Sequence, residues 1–391
     1  MPDIGQKTMK AAMFYGAGDI RIEEVEVPKP SDRHVLVKVA WCGICGTEGP
    51  ILCPDKTPHP ITGCTLPVCL GHEFSGVVVQ VGPNVKGDWK EGDRVVIESV
   101  ISCGDCYACK HGCNNGKWRS FFPSLFAPTR VPHDARTDKR DRAACSKLGF
   151  VGLSGNGGGL AEYFSSPEEY LHHLPDNVSL KTGAMCEPLA VAIHAVRRAG
   201  FQKGMSALVL GAGPIGIFIT KVLIAQGASK VICSEPSSTR REKAKLAGAH
   251  HLFSPLETDI VAEVRKLTGS DSGVDLAFEA AANERALVTA IKAVKTRGTV
   301  LNVSVWSREP RIPMNELVFS EKAILGASCY RDDHPAVMDA LSSGSIKLEQ
   351  FITATIPLEQ LVEGGFRELL ENNEQHVKIL VSPSGQMDQP F

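Results

Sequence analysis

Ser206-Ala-Leu-Val-Leu-Gly211-Ala-Gly213-Pro214-Ile215-Gly216 decides the fold. An apolar run of strand length leads straight into G-x-G-x-x-G, and a helical pattern opens behind it. Gly211 permits the tight turn, Gly213 lets the backbone approach a pyrophosphate and Gly216 allows close helix packing, while the helix N-terminus favours phosphate charge. Pro214 and Ile215 complete the candidate phosphate loop. Glu235 ends the next apolar run, nineteen residues beyond Gly216, where a carboxylate accepts both ribose hydroxyls and repels a 2′-phosphate. The pair reads as an NAD site, with Arg240 and Arg241 close enough to soften the preference over NADP. A glycine-rich turn with a surface glutamate is the plainer alternative.

Working outward, strand runs at Ala207–Leu210, Val231–Ser234, His251–Phe253, Val274–Glu279, Thr299–Val305 and Ala323–Ala327 alternate with helical patterns. The helices are expected at Ile215–Gln226, Thr239–Ala247, Asp259–Thr268 and Glu284–Thr296. Six strands joined by crossover helices predict a doubly wound parallel sheet. Upstream, Arg21–Glu23, Val35–Val39, Gly76–Val81 and Arg94–Ile97 are short strand-like runs between Gly and Pro turns, predicting a β-rich domain. The fold class is therefore α/β. We expect residues 189–330 to form the dinucleotide-binding domain, and residues 1–188 with 331–391 to form the other.

Gly116–Ala144 fits neither domain. It carries seven Lys or Arg against three Asp, shows no periodicity, and is long for a structureless connection. An insertion is expected there.

Composition narrows the function. Lys plus Arg number 42 against 44 Asp plus Glu, a net charge of −2, so a nucleic-acid partner is not expected. The longest uncharged stretch, Gly204–Thr220, is seventeen residues and contains the glycine loop, short of the roughly 20 apolar residues of a membrane span. No membrane partner is expected. With no apolar leader and no recognised C-terminal address, the expected location is the cytoplasm.

Thirteen cysteines without a secretory signal point to metal ahead of disulfides. Cys103-x2-Cys106-x2-Cys109 supplies three thiolates for one soft tetrahedral cation, and a fourth ligand should close the site. Cys113 is nearest in sequence, which gives the spacing of a ferredoxin run. Asn114 stands where that run has proline, so zinc is the better reading. Elsewhere, Cys42-Gly-Ile-Cys45 could be a redox pair but lacks the strand-to-long-helix setting of one. Cys45, His72, Glu73 and Glu187 are dispersed in sequence. Such Cys, His and carboxylate groups can converge on a catalytic zinc with one position open for an alcohol oxygen.

Taken together, these pieces resemble the zinc-dependent medium-chain alcohol and polyol dehydrogenases, in their (R,R)-2,3-butanediol dehydrogenase branch. The resemblance is carried by YGAGDIRIEEV (15–25), VKVAWCGIC (37–45), PHPITG (58–63), LPVCLGHEFSGVVVQVG (66–82), the cysteine run, LGFVGLSGNGGGLAEY (148–163), EPLAVAIHAVRRAGF (187–201), LVLGAGPIG (208–216), SEPS (234–237) and NNEQHVKILVSP (372–383). It implies a GroES-like catalytic domain around a Rossmann NAD-binding domain, catalytic and structural zinc, and a homo-oligomer, dimer or tetramer. By resemblance, Cys45 and His72 are catalytic zinc ligands, Glu73 and Glu187 share the third place, and Thr47 passes the proton outward. The structural zinc takes Cys103, Cys106, Cys109 and Cys145, with Cys113 competing for the fourth position.

One departure stands in the catalytic loop. The family follows its Cys-Gly-Ser/Thr with Asp, an apolar residue and His before Gly-Pro-Ile, whereas here Thr47 is followed at once by Glu48-Gly49-Pro50-Ile51. About six residues are missing, including the Asp that supports the zinc ligand and a His of the proton relay. The resemblance implies NAD-linked oxidation of a secondary alcohol or vicinal diol, such as 2,3-butanediol to acetoin. Sorbitol/xylitol-type polyol or threonine oxidation is the alternative within the class. A catalytically impaired NAD-binding protein is the alternative outside it.

Overall fold

The computed structural model describes residues 7–46, 48, 58–111, 142–155, 157–269 and 273–385. Eighteen strands appear among these residues. In the first part of the chain they are β1 Thr8–Gly16, β2 Asp19–Glu26, β3 His34–Gly43, β4 Val68–Cys69, β5 Glu73–Val81, β6 Arg94–Ile97, β7 Val100–Ile101, β8 Gly149–Phe150, β9 Tyr163–Pro167 and β10 Leu171–His173. The parallel region supplies β11 Ser206–Leu210, β12 Lys230–Ser234, β13 His251–Phe253, β14 Val274–Glu279, β15 Val294–Asn302 and β16 Ala323–Gly326. The chain ends on β17 Ile352–Pro357 and β18 Lys378–Ser382.

The six-stranded sheet has the order β13-β12-β11-β14-β15-β16, and every pairing in it is parallel. Burial on both faces explains its near-continuous apolar runs: Leu208, Val209, Ile232, Ala277 and Val300 are all solvent-inaccessible. Helices Pro214–Ala225, Ser238–Leu246, Ile260–Thr268 and Glu284–Ala293 cross between the strands. The strand order reverses between β11 and β14, the switch point at which such sheets take dinucleotides. The largest boundary differences from the sequence reading surround the fifth strand, expected at Thr299–Val305 and found at Val294–Asn302. The chain turns extended at Val294, where a helix to Thr296 was expected, because Val294 pairs with Val274 across the sheet.

The β-rich part centres on a seven-stranded sheet with β10-β6-β5-β3-β18-β17 in sequence across it and β9 also on β3. Its last two strands come from the C-terminal segment, so the chain returns to the first domain after completing the parallel sheet. That return matters for the site. Register sets Gly43 opposite both Glu73 of β5 and Leu380 of β18, and the Ile44 N–H donates to the Ile379 carbonyl at 3.1 Å. The residues that follow β3, begin β5 and begin β18 therefore meet at one end of the sheet. No described helix is long and apolar enough to cross a membrane.

Candidate active site and metal centres

Cys45 leaves β3 just past its last pairing, and His72 lies immediately before β5. Gly71 holds the turn into His72 at φ +102°, and a Cβ there would meet the Leu160 nitrogen at 2.4 Å and the Cys42 Sγ at 2.8 Å. Only glycine satisfies both demands. Cys45, His72 and Glu73 each place one ligand atom within 4.8 Å of the others. Cys42 is different: it is fully buried in the core, and burial raises its thiol well above the usual range. The redox-pair reading of Cys42 and Cys45 gains no support from that arrangement.

His72 is 5 % exposed and Glu73 1 %. Burial pushes the His72 imidazole down, but the adjoining Cys45 sulfur and the Glu48 carboxylate outweigh it and hold the pKa well above the ordinary value. Glu48 Oε1 lies 3.3 Å from His72 Nδ1, and its Oε2 accepts from the Cys45 N–H at 3.3 Å. Glu187, in the first turn of helix Cys186–Arg198, is buried beside this group. Burial raises its carboxyl to about 7 and Glu73 adds to the rise, while His72, Lys378 and a hydrogen bond from Tyr330 oppose it. Thr47 lies outside the described residues.

Two participants were not identified from sequence. Lys378 is 2 % exposed, donates to Glu73 Oε2 at 2.6 Å and reaches the Ile44 carbonyl at 3.2 Å. Its signal was a lone lysine inside Val377-Lys378-Ile379-Leu380-Val381. Tyr330 is fully buried, and its oxygen accepts from the Ser99 N–H at 2.8 Å. Ser99 Oγ in turn donates to the His72 carbonyl. No local pattern marks Tyr330.

A second cluster collects Cys103, Cys106, Cys109 and Cys145, all four sulfurs within 4.8 Å of one another. The Sγ···Sγ distances are 3.5 Å for 103–145 and 4.0 Å for both 103–109 and 106–145. A zinc with Zn–S bonds of about 2.3 Å spaces its tetrahedral sulfurs by about 3.8 Å, so the donor set fits that ion. Backbone N–H groups of Cys103, Cys106 and Lys147 point at sulfurs from 3.4 Å. N–H donors from Ser146 and Cys109 lower Cys106 to about 6, whereas burial raises Cys109 to about 12. The competing Cys113 lies outside the described residues, as do residues 116–141 of the expected insertion.

The glycine loop has the shape of a phosphate cradle. Gly211 sits at φ +97°, and a Cβ on Gly216 would meet the Gly211 carbonyl at 2.0 Å. A Cβ on Gly213 would meet nothing within 4 Å, so the space beside it is open for a ligand. Gly213 caps helix Pro214–Ala225 with no side-chain cap bond, and Pro214 and Ile215 form the first turn. Glu235 is buried and accepts from the Ala212 N–H at 2.8 Å and the Ser237 N–H at 2.9 Å. The basic pair is engaged elsewhere. Arg241 bonds the Glu235 and Pro236 carbonyls at 2.8 and 2.7 Å, and Arg240 reaches the Asn373 carbonyl at 3.1 Å.

Comparison with known proteins agrees with this anatomy. Residues 31–176 match the alcohol dehydrogenase GroES-like domain, and residues 214–343 match the zinc-binding dehydrogenase domain. The chain is 40% identical to an (R,R)-butanediol dehydrogenase of Neisseria gonorrhoeae over 385 residues, covering 96% of this chain and 100% of that one. The crystal structure of 2R,3R-butanediol dehydrogenase from Bacillus subtilis is similar with a TM-score of 0.83 at 38% identity, covering 96% of this chain and 99% of that one. A putative zinc-binding dehydrogenase from Sinorhizobium meliloti bound to NADP is similar at TM-score 0.80 and 29% identity, covering 97% and 100%.

Proposed function

Because the chain belongs to the zinc-dependent medium-chain dehydrogenases, oxidoreductases of CH–OH groups that use zinc and a nicotinamide coenzyme, we propose that it oxidises a vicinal diol with NAD. The preferred pair is (R,R)-2,3-butanediol and acetoin. The convergence of Cys45, His72 and Glu73 carries this reading, because three protein donors leave one position for a substrate oxygen. The choice of diol rests on the likeness to butanediol dehydrogenases over nearly the whole chain.

In this reading Cys45, His72 and Glu73 hold the catalytic zinc, and Cys103, Cys106, Cys109 and Cys145 hold the structural one. When bound, zinc acidifies a substrate hydroxyl and the nicotinamide accepts the hydride. Thr47 takes the hydroxyl proton toward solvent. Glu187, steadied by Tyr330, offers an anchor for the neighbouring hydroxyl of a diol. Lys378 fixes the orientation of Glu73 through one carboxylate oxygen and leaves the other for the metal. Gly211, Gly213, Pro214, Ile215 and Gly216 cradle the pyrophosphate, and Glu235 takes the ribose hydroxyls. Glu235 favours NAD, and the engagement of Arg240 and Arg241 with carbonyls supports that choice. The contact between Glu48 and His72 supports an active enzyme over an impaired one.

We place the enzyme in the cytoplasm, since thiolate ligands persist in a reducing compartment. A homo-oligomer built on the β16 edge is part of the proposal. That edge strand follows helix Met314–Phe319, whose Met314, Val318 and Phe319 are 59, 64 and 83% exposed. The deciding experiment is turnover of zinc-replete protein with NAD on butanediol stereoisomers, sorbitol, xylitol and threonine. Highest kcat/KM on (R,R)-butanediol is expected; a higher value on a sugar alcohol or threonine rejects the substrate assignment.

A further inference from the structure

We propose that Glu98, His172 and His334 form a third cation site, distinct from both cysteine-containing centres and suited to a divalent first-row transition metal such as zinc. Three elements meet there. Glu98 directly follows β6, His172 is the middle residue of β10 paired with Val96, and His334 opens helix His334–Ser342. Glu98 Oε2 lies 3.1 Å from His172 Nε2, and the rings of His172 and His334 stack at 4.6 Å, 6° from parallel, so one ring must turn out of the stack for both to direct a lone pair at one ion. One ligand atom from each of the three residues falls within 4.8 Å of the other two.

His334 carries the argument. It is fully buried, and neither ring nitrogen makes a well-formed hydrogen bond among the described residues, the backbone of Ile97 being the nearest polar neighbour. A buried polar group left in that state is costly, and a protein site normally fills it with a donor, an acceptor or an ion. Burial, reinforced by His172, also keeps this imidazole neutral, the form that offers a lone pair. Beside it stands a carboxylate already drawn toward a second imidazole. Two imidazoles and one carboxylate are borderline donors for zinc, cobalt or nickel, and they contain no thiolate. The His172 side chain is 25% exposed, which leaves a path from solvent.

Binding would tie the helix that follows the parallel sheet to two strands of the β-rich part. Glu98 adjoins Ser99, which bonds both Tyr330 and the His72 carbonyl, so the third cation would brace the frame behind the active site.

Equilibrium dialysis of the full-length protein against buffered micromolar zinc tests this, with zinc per chain read by elemental analysis. We expect His172→Ala to bind one equivalent fewer than the unmodified chain. Glu98→Gln, which preserves shape, should weaken that same equivalent at least tenfold. Cobalt loading adds a signature: the equivalent lost in the variants should show d–d absorption without thiolate charge transfer. Should His172→Ala fail to fold, Glu98→Gln decides. Equal zinc content and affinity in the unmodified chain and the folded variants overturns the proposal, as does extra zinc that persists in them.

Discussion

Glu48 Oε1 stands 3.3 Å from Nδ1 of His72, so one carboxylate spans the ring of one candidate zinc ligand and the backbone N–H of the other, Cys45. An imidazole ligand normally gives its second nitrogen a carboxylate or carbonyl partner, which fixes the tautomer and raises ligand basicity. Where the family resemblance implies an Asp in this role, the chain has Glu48, which places the same charge beside His72.

The first prediction follows from that contact. Glu48→Gln and Glu48→Ala should weaken the catalytic zinc roughly 10–100-fold, with the alanine variant at the upper end. Competition against a chelator of known affinity measures it, and the four-cysteine zinc serves as an internal control. Unchanged affinity in both variants would mean that the contact does nothing for the metal.

The parallel sheet was legible because each of its signals is local. Apolar runs, helical periodicity and the glycine loop each span a dozen residues or fewer, and the structure contains all six strands, the fifth starting five residues earlier than the pattern put it. The candidate site was legible only where a motif marked it, as at Cys45, His72 and the cysteine run. Lys378 and Tyr330 were not, because their roles arise from the return of the C-terminal segment onto β3 and from burial, both long-range properties. The His172–His334 stack joins residues 162 positions apart and has no sequence signature at all.

Cys145 and Cys113 make different predictions for the structural centre. With Cys145 Sγ 3.5 Å from that of Cys103, Cys145→Ala should remove one zinc per chain and lower the thermal midpoint by several degrees. Cys113→Ala should leave zinc content unchanged. Elemental analysis of the two variants settles the assignment, and loss of zinc from the second alone would reverse it.

For coenzyme choice, we expect at least a tenfold preference for NAD over NADP, equivalent to about 1.4 kcal/mol. Glu235→Ser should narrow it by removing the carboxylate that a 2′-phosphate would face. The kcat/KM ratio for the two coenzymes is the measurement. Equal use of both by the unmodified enzyme counts against Glu235 as the ribose acceptor.

Glu168 gives a pH-dependent stability test away from the metal centres. Burial acts to raise its pKa, but two bonds from Arg33 at 2.8 and 3.0 Å and N–H donors from Lys86 and Gly87 at 2.9 and 2.8 Å leave it below the ordinary value. A carboxyl whose folded pKa lies below its unfolded one stabilises the fold fully above the unfolded value. The contribution disappears as pH falls through the folded one. Glu168→Gln should cost about 2 kcal/mol at pH 7, and the gap should shrink progressively below about pH 4.5. Urea midpoints of both proteins across that range provide the check, and a gap independent of pH would assign the loss to shape instead of charge.

The position of Cys145 also makes a prediction about the chain between it and Cys109. Both sulfurs belong to one cluster, so the two ends of the segment 110–144 are pinned together. Replacing Gly116–Ala144 by one glycine leaves seven residues between Cys109 and Cys145 in place of thirty-five. Shortening a flexible loop fivefold favours the folded state by about 1.4 kcal/mol in closure entropy. It also removes seven basic and three acidic side chains from a zinc loop. The shortened protein should therefore bind the same zinc, melt a few degrees higher and turn over at an unchanged rate. Inserting the family's extra residues after Thr47 alters a different part of the chain, next in sequence to Cys45. Zinc content, thermal midpoint and kcat of the two variants separate the effects. If the shortened chain loses its zinc or its activity, the excised segment contributes to the site and is no dispensable insertion.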